Sequence, residues 1–94
     1  MTEQEFDKAV AGPGDVYILF SAPWCGPCRH YKPVLSEVAE AKGAQLVIVN
    51  VDESPELVAK HRVRGVPTTM SFSDGQLKGS FVGSVLRETL MTSL

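Results

Sequence analysis

An unbroken run of five apolar residues at positions 16–20 constrains the fold more than any other feature of the sequence. The run, VYILF, follows a Gly-Pro-Gly break at positions 12–14 and is too short to form a helix of its own. A run without polar alternation is typical of a strand covered on both faces, as in the middle of an α/β sheet. We therefore predict that residues 16–20 form a central strand.

Helical periodicity follows that strand. Over residues 25–42 the apolar side chains recur at helical spacing, and Gly43 ends the pattern. Pro33 lies inside this helix and predicts a bend, because proline removes one backbone hydrogen bond. Residues 46–51 repeat the buried-strand pattern, and the strand-helix-strand order implies a right-handed parallel crossover. We expect the two strands to lie side by side and parallel.

Capping residues mark two shorter helices. Thr2 and Glu5 form a capping-box pattern, which opens a helix over residues 3–11. Ser54 is the predicted N-cap of a helix that continues to about residue 62, with a proline in its first turn.

A hairpin and a last helix complete the chain. The Asp-Gly pair at positions 74–75 predicts a tight turn between antiparallel strands 68–73 and 77–82, and Ser84 is a candidate cap for an amphipathic last helix. The whole pattern predicts one domain over residues 1–94 with an α/β fold. We expect a four-stranded mixed sheet in the order 2-1-3-4, with its last strand pair antiparallel, flanked by about four helices.

Composition and charge exclude several classes of function. The formal net charge of -2 and the absence of a Lys or Arg run argue against a nucleic-acid partner. No apolar stretch is long enough to cross a bilayer, and the first ten residues lack the pattern of a secretory signal. We expect no membrane partner and a cytoplasmic, monomeric protein. Two cysteines in a reducing compartment indicate a cycling or metal-binding pair in preference to a permanent structural disulfide.

The two cysteines lie in the segment Trp24-Cys25-Gly26-Pro27-Cys28, where the central strand ends and the long helix begins. This junction is the expected topological switch point of the sheet, where α/β proteins place their sites. Because residues three apart share a helix face, the two sulfurs can form and break a disulfide without unfolding the helix. At the helix N-terminus, Cys25 is predicted to be the exposed, attacking thiolate, and the shielded Cys28 to resolve the mixed disulfide.

A zinc site is the structural alternative for the cysteine pair. Tetrahedral zinc takes a second pair of Cys or His ligands, and the sequence offers only His30 and His61. His30 lies two residues beyond Cys28 and points to another helix face, so we expect no metal site and assign neither histidine a role. Trp24 could be core filler, but its place directly before the attacking cysteine favours a surface that docks substrate.

The order and spacing of these motifs resemble the thioredoxin family over about residues 6–90. The matching segments are Trp24-Cys25-Gly26-Pro27-Cys28, Pro33, Asn50-Val51-Asp52, Gly65-Val66-Pro67-Thr68, Asp74-Gly75 and Gly83. The resemblance implies a thioredoxin fold and a protein-disulfide reductase whose redox group is the Cys25–Cys28 disulfide, with no other cofactor. The implied partners are disulfide-containing substrate proteins and a thioredoxin reductase or similar electron donor.

The resemblance also implies a groove for substrate. In such proteins the proline matching Pro67 is cis and lies against the dithiol, and the backbone matching Val66 pairs with an extended substrate. The groove residues implied in this chain are Trp24, Gly26, Pro27, Val66, Pro67 and Gly83.

Two departures from the family pattern are visible. No counterpart of the family's N-terminal edge strand precedes the first helix, so we expect four strands in place of five. The family's buried carboxylate, six residues before the first cysteine, is replaced by Leu19, and the matching buried lysine by Ile48. This apolar pair removes the usual assisting base for Cys28 while leaving disulfide exchange intact.

Two other functions stay open at the level of the sequence. The chain could be a binding module that holds a partner protein on the same surface, in which case both cysteines are dispensable. An oxidant or isomerase of an oxidising compartment is disfavoured by the Gly-Pro pair between the cysteines, which resembles the reducing members of the family.

Overall fold

Four strands form one sheet in the order β2-β1-β3-β4, in a computed structural model that describes residues 1–94. The elements in chain order are α1 (Glu3–Ala11), β1 (Asp15–Ser21), α2 (Gly26–Lys42), β2 (Gln45–Asn50), α3 (Pro55–Lys60), β3 (Thr68–Ser73), β4 (Gln76–Val82) and α4 (Arg87–Ser93). β1 pairs parallel with β2 and antiparallel with β3, and β3 pairs antiparallel with β4. The predicted fold class, strand order and four-stranded sheet are confirmed.

The central strand is the apolar run at positions 16–20, and its five side chains are at most 2% exposed. Alternate residues face opposite helical layers, as the pleat of a strand requires. On one face the strand packs with α1 and α3, through Val16, Ile18, Phe20, Phe6 and Leu57. On the other face it packs with α2 and α4, through Tyr17, Leu19, Tyr31, Leu35 and Leu90.

The second apolar run, at positions 46–51, forms most of β2, and the expectation that it is a buried strand is wrong. In β2 only Val49 is buried, and the Ile48 side chain is 38% exposed. The physical reason is position, since β2 lies at one end of the sheet and has β1 as its only strand partner. A continuous apolar run therefore marks both the centre and one edge of this sheet.

The N-cap residues agree with the sequence at α1 and α3 and differ at α4. Thr2 and Glu5 form the predicted capping box. The Ser54 hydroxyl does not cap α3; it accepts from the Met1 ammonium at 2.9 Å and donates to the Met1 carbonyl at 3.0 Å. Leu86, and not Ser84, is the N-cap of α4, and it makes no side-chain cap.

The β3–β4 hairpin has the predicted turn. Asp74 and Gly75 both have positive φ, 50° and 85°, which an Asp-Gly pair accommodates at low cost. The Asp74 carboxylate also accepts from the Gly14 N–H at 2.9 Å and ties the turn to the segment before β1. None of the helices combines the length and the apolar character that crossing a lipid bilayer requires.

His61 lies in an aromatic cluster beneath α1. Its ring centroid is 4.5 Å from that of Phe6 and 6.2 Å from that of Phe20, and its Nε2 atom is buried without a hydrogen-bond partner. Burial lowers the pKa of His61 from its ordinary value of 6.5, and the neighbouring Lys60 charge lowers it further, while Asp7 and Glu3 act in the opposite direction. Burial therefore favours the neutral form of the imidazole.

We expect the free energy of unfolding to fall as the pH drops below about 6.5, because the unfolded chain binds a proton at His61 more readily than the folded chain. His61→Phe should reduce this loss between about pH 7.5 and pH 5.5 in denaturant unfolding. His30→Gln is the matched control, since His30 is exposed on α2. Equal pH dependence in the parent and in His61→Phe would contradict the assignment.

Candidate functional site

The two cysteines lie at the junction of β1 and α2. Cys25 is the N-cap of α2, with φ -87° and ψ 106°, and Cys28 is in the first helical turn. A disulfide joins them, and their Cα atoms are 5.3 Å apart. β1 has a parallel neighbour, β2, on one side and an antiparallel neighbour, β3, on the other. The junction after β1 is therefore the topological switch point of the sheet.

The start of α2 is arranged to stabilise negative charge on the Cys25 sulfur. The Cys28 backbone N–H donates to Cys25 Sγ at 3.2 Å, so the sulfur acts as the cap of its own helix. The first turn carries no acidic side chain, and the Arg29 guanidinium donates to the Pro23 carbonyl at 3.2 Å. The free N–H groups and the positive end of the helix dipole therefore favour the Cys25 thiolate.

Both sulfur-bearing residues are covered in the disulfide form. Cys25 is 4% exposed and Cys28 is 3% exposed, and both pack with Ala22 against Val51 and Val66. The sequence predicted an exposed Cys25 and a shielded Cys28, and burial does not separate the two in this state. The assignment of Cys25 as the attacking sulfur and Cys28 as the resolving sulfur therefore rests on the position of Cys25 as the N-cap of α2.

Trp24 lies on the surface beside the disulfide. Its side chain is 68% exposed, and its indole Nε1 donates to Asp52 Oδ2 at 3.0 Å. The Asp52 backbone N–H in turn donates to Asn50 Oδ1 at 2.9 Å, which fixes the turn after β2. Trp24 is therefore an exposed, anchored ring and not core filler.

Asp52 is a site residue that the sequence reasoning missed. The signal was available, because Asp52 follows a strand parallel to β1, and the carboxyl ends of parallel strands meet at one edge of a sheet. A second omission is an apolar pocket of about 180 Å³ beside Trp24. Its lining residues are Trp24, Val51, Val58, Val63, Arg64, Gly65 and Val66.

The structure links three of the residues predicted to form a groove, Val66, Pro67 and Gly83. Val66 packs against the cysteines, and the Val66–Pro67 peptide bond is cis. The Gly83 N–H donates to the Pro67 carbonyl at 2.7 Å, which joins the end of β4 to the segment before β3. Gly83 has a φ of 86°, a conformation that disfavours any side chain at this position.

Gly26 and Pro27 are exposed in the first turn of α2, between the two cysteines. No group of three or more His, Cys, Asp or Glu side chains is placed to hold a metal ion.

Leu19 and Ile48 are register partners on β1 and β2 but do not form a buried pair. Leu19 is fully buried and packs with Tyr31 and Leu35 of α2, whereas Ile48 is 38% exposed at the sheet edge. The expectation that these two residues take the place of a buried charged pair requires both to be buried. Leu19 is buried as expected, and the expectation is wrong for Ile48.

Comparisons with known proteins agree with this arrangement. The chain matches the Thioredoxin family model over residues 1–94. It is similar to a thioredoxin of Rhodospirillum rubrum, at 42% identity over 93 residues, which cover 96% of this chain and 89% of that protein.

Solved structures give the same result. A mutant thioredoxin from Halobacterium salinarum has a TM-score of 0.90 and 34% identity, covering 98% of this chain and 81% of that one. A chain from a study of the thiol resolving mechanism in yeast mitochondrial 1-Cys peroxiredoxin, via glutathione and thioredoxin systems, has a TM-score of 0.87. The identity is 30%, and the match covers 97% of this chain and 86% of that one.

Leu19→Asp should destabilise the protein by roughly 3 kcal/mol or more near neutral pH, because it places an unpaired carboxylate in a buried strand. Burial raises the pKa of such a carboxyl above its unfolded value, so the deficit should shrink as the pH falls and the group becomes neutral. Denaturant unfolding of the reduced proteins at neutral and acidic pH measures both effects. Leu77→Asp on β4 is the control, since Leu77 is 53% exposed. Equal unfolding midpoints for Leu19→Asp and the parent at both pH values would contradict the burial of Leu19.

Proposed function

Because the chain belongs to the thioredoxin family and is therefore a thiol-disulfide oxidoreductase, we propose that it reduces protein disulfides through Cys25 and Cys28. Cys25 is the attacking sulfur and Cys28 the resolving sulfur. One observation carries this assignment: Cys25 Sγ is the N-cap acceptor of α2 and receives the Cys28 N–H at 3.2 Å. The Cys28 N–H, which the Cys25 sulfur caps, also stabilises the attacking thiolate.

The first step is nucleophilic. In the reduced protein the Cys25 thiolate attacks one sulfur of a substrate disulfide, forms a mixed disulfide with it and displaces the other substrate sulfur as a thiolate. The helix N-terminus favours the ionised form of Cys25 before the attack. The displaced thiolate takes a proton from solvent.

The second step is intramolecular. Cys28 loses its proton and attacks Cys25 Sγ, which breaks the mixed disulfide and releases the second substrate thiol. The short separation of the two cysteines makes this attack fast relative to attack by a free thiol. The substrate gains two electrons and two protons, and the Cys25–Cys28 disulfide seen in the structure is the oxidised product.

Substrate docks on the surface around the disulfide in this proposal. The exposed Trp24 ring supplies a flat apolar contact, and the first turn at Gly26 and Pro27 leaves room for an approaching chain. The backbone of Val66 pairs with an extended substrate segment, and Pro67 and Gly83 form the same wall of the groove. The hydrogen bond between Gly83 and Pro67 supports the placement of these two residues on one wall.

The family implies two kinds of partner, disulfide-containing substrate proteins and a reductase that returns electrons to Cys25 and Cys28. We propose a peroxiredoxin as one substrate, supported by the structural neighbour from work on a peroxiredoxin and the thioredoxin system. A single chain supplies every residue of the cycle, which supports a monomer as the working unit. The proposed cycle involves no nucleic acid, membrane or metal. The need for a reducing pool to regenerate the dithiol supports a cytoplasmic location.

The cysteine variants test the roles of the two sulfurs. Cys28→Ser should accumulate a mixed disulfide between Cys25 and a disulfide substrate such as insulin, because the resolving sulfur is missing. Cys25→Ser is the matched control and should trap nothing under the same conditions. Non-reducing gel electrophoresis and mass spectrometry of the adduct give the readout. Trapping by Cys25→Ser and not by Cys28→Ser would reverse the assignment.

Alkylation and turnover give independent readouts. Brief alkylation of the reduced parent, followed by peptide mapping, should label Cys25 before Cys28. The parent should catalyse insulin reduction with dithiothreitol as the electron source, and Cys25→Ser should lose this activity. Insulin reduction that survives in Cys25→Ser would favour a binding module in which the cysteines are dispensable.

A further inference from the structure

One short segment connects the last turn of α3 to the region of the disulfide. Residues 63–66, here called the docking segment, follow α3 closely and all line the apolar pocket of about 180 Å³ beside Trp24. Val66, the last residue of the docking segment, also packs against the two cysteines. The position of the docking segment therefore depends on how the end of α3 is held.

His61 anchors the end of α3. It is the C-cap residue of this helix, and its backbone N–H donates to the Leu57 carbonyl at 3.0 Å. Its ring centroid lies 4.5 Å from that of Phe6 and 6.2 Å from that of Phe20, and both phenylalanines are buried. The imidazole is therefore packed into the core as an aromatic ring, and only Arg62 separates it from the docking segment.

Arg62 joins His61 to the docking segment in a strained backbone conformation. Its φ is 54°, in the left-handed region that a residue with a Cβ atom rarely adopts. Such a conformation persists where the surrounding structure holds it. The packed His61 ring holds it on one side, and on the other side the Val63 N–H donates to the Val58 carbonyl at 3.0 Å. Release of the His61 ring would let Arg62 relax and the docking segment shift.

The surroundings of His61 give a proton on its Nε2 atom no acceptor. From α1 the carboxylates of Glu3 and Asp7 act on His61, from α3 the Lys60 ammonium does, and β1 contributes the apolar Phe20 ring. Both carboxylates pair with Lys60, at 2.8 Å and 3.8 Å, and the buried Nε2 atom has no hydrogen-bond partner. Because an imidazolium carries an N–H at both nitrogens, protonation leaves a buried donor unpaired. The charged ring is therefore more stable in water than in this cluster.

We propose that His61 is a positioning residue for substrate docking, whose neutral ring holds the docking segment in place and whose protonation releases it. The ring gains one proton from solvent and leaves the aromatic cluster, and the strained Arg62 then relaxes. The docking segment moves away from its place beside Trp24 and the cysteines. The effect on substrate rests on the proposed function, whereas the movement of the docking segment does not.

The proposal places the effect of acid on docking and not on the chemical steps. A substrate that binds only the held arrangement has its apparent affinity reduced by the fraction of molecules in that arrangement. Acid also protonates the Cys25 thiolate, which slows the attack itself in the parent and in His61 variants alike. The role of His61 is therefore measured by the substrate concentration at half-maximal rate, and the state of Cys25 by the rate at saturation.

Nuclear magnetic resonance of the disulfide form tests the structural half of the proposal. Between about pH 7.5 and about pH 5, the range of histidine titration, the Val66 N–H and Trp24 indole N–H signals of the parent should shift with the midpoint of the His61 ring. His61→Phe should abolish these shifts, since phenylalanine is aromatic and binds no proton. His30→Gln is the matched control and should behave like the parent, because His30 is exposed on α2. Circular dichroism confirms that each protein is folded across this range.

Peptide reduction tests the functional half. The probe is a disulfide peptide with blocked ends and no ionisable side chain, and its reduction is followed by the fluorescence of Trp24, the single tryptophan. From about pH 7.5 to about pH 5, the peptide concentration at half-maximal rate should rise on the order of threefold or more for the parent and for His30→Gln. For His61→Phe it should not rise. The rate at saturating peptide should fall with pH in parallel in all three proteins.

The two halves of the proposal fail separately. A Val66 signal that does not shift, that shifts with a midpoint other than that of the His61 ring, or that still shifts in His61→Phe would overturn the positioning role. The comparison of midpoints in the parent needs no variant, so it decides even where His61→Phe does not fold. An equal rise of the half-saturating concentration in the parent and in His61→Phe would overturn the link to docking and leave the proposed function intact. A parent that reduces no peptide at any pH would contradict the proposed function, and the resonance titration would still decide the positioning role.

Discussion

Burial of β1 on both faces is the interaction on which the rest of the structure depends. Its five apolar residues alternate between the layer of α1 and α3 and the layer of α2 and α4, and both cores meet at this strand. Because helices pack on both faces of β1, the end of this strand has a fixed position in the fold. The chain leaves β1 at Ser21 and, after four connecting residues, enters α2 at Gly26, so the position of the disulfide follows from the packing of a strand that contains no reactive group.

The first residues of α2 make the end of β1 a reactive site. Cys25 takes the place that Ser, Thr or Asp occupies at most helix N-termini, and its sulfur accepts the N–H that such a side chain would accept. The cap and the nucleophile are thus one residue. Val51 and Val66 pack against the cluster of Ala22, Cys25 and Cys28, and the hydrogen bond from Trp24 to Asp52 holds an exposed aromatic ring in the same region. The reactive pair lies at the end of a buried strand, next to a surface that another protein can contact.

Much of this architecture could be predicted from the sequence, because the apolar run at 16–20, the helical periodicity of α2 and the Asp-Gly turn are local signals. The cysteine spacing likewise fixed the reactive pair. The exposure of Ile48 could not be predicted from its own segment, since the same apolar run suits the centre of a sheet and an edge, and only the pairing of the whole sheet separates them. Ser54 is the N-cap residue of α3 as predicted, but its hydroxyl makes no capping bond because it has a partner, Met1, that is 53 residues away in sequence. Asp52 was missed because its partner Trp24 belongs to a different strand-helix junction.

The central claim is that Cys25 and Cys28 form a dithiol that donates electrons to other disulfides. The reduction potential of this pair tests it most directly, measured by equilibrating the protein in glutathione buffers of known ratio and quantifying both redox forms. We expect a potential more negative than that of glutathione, so that buffers containing mostly reduced glutathione still leave the pair as a disulfide. A potential more positive than that of glutathione would make the protein an oxidant of other thiols and would contradict the account.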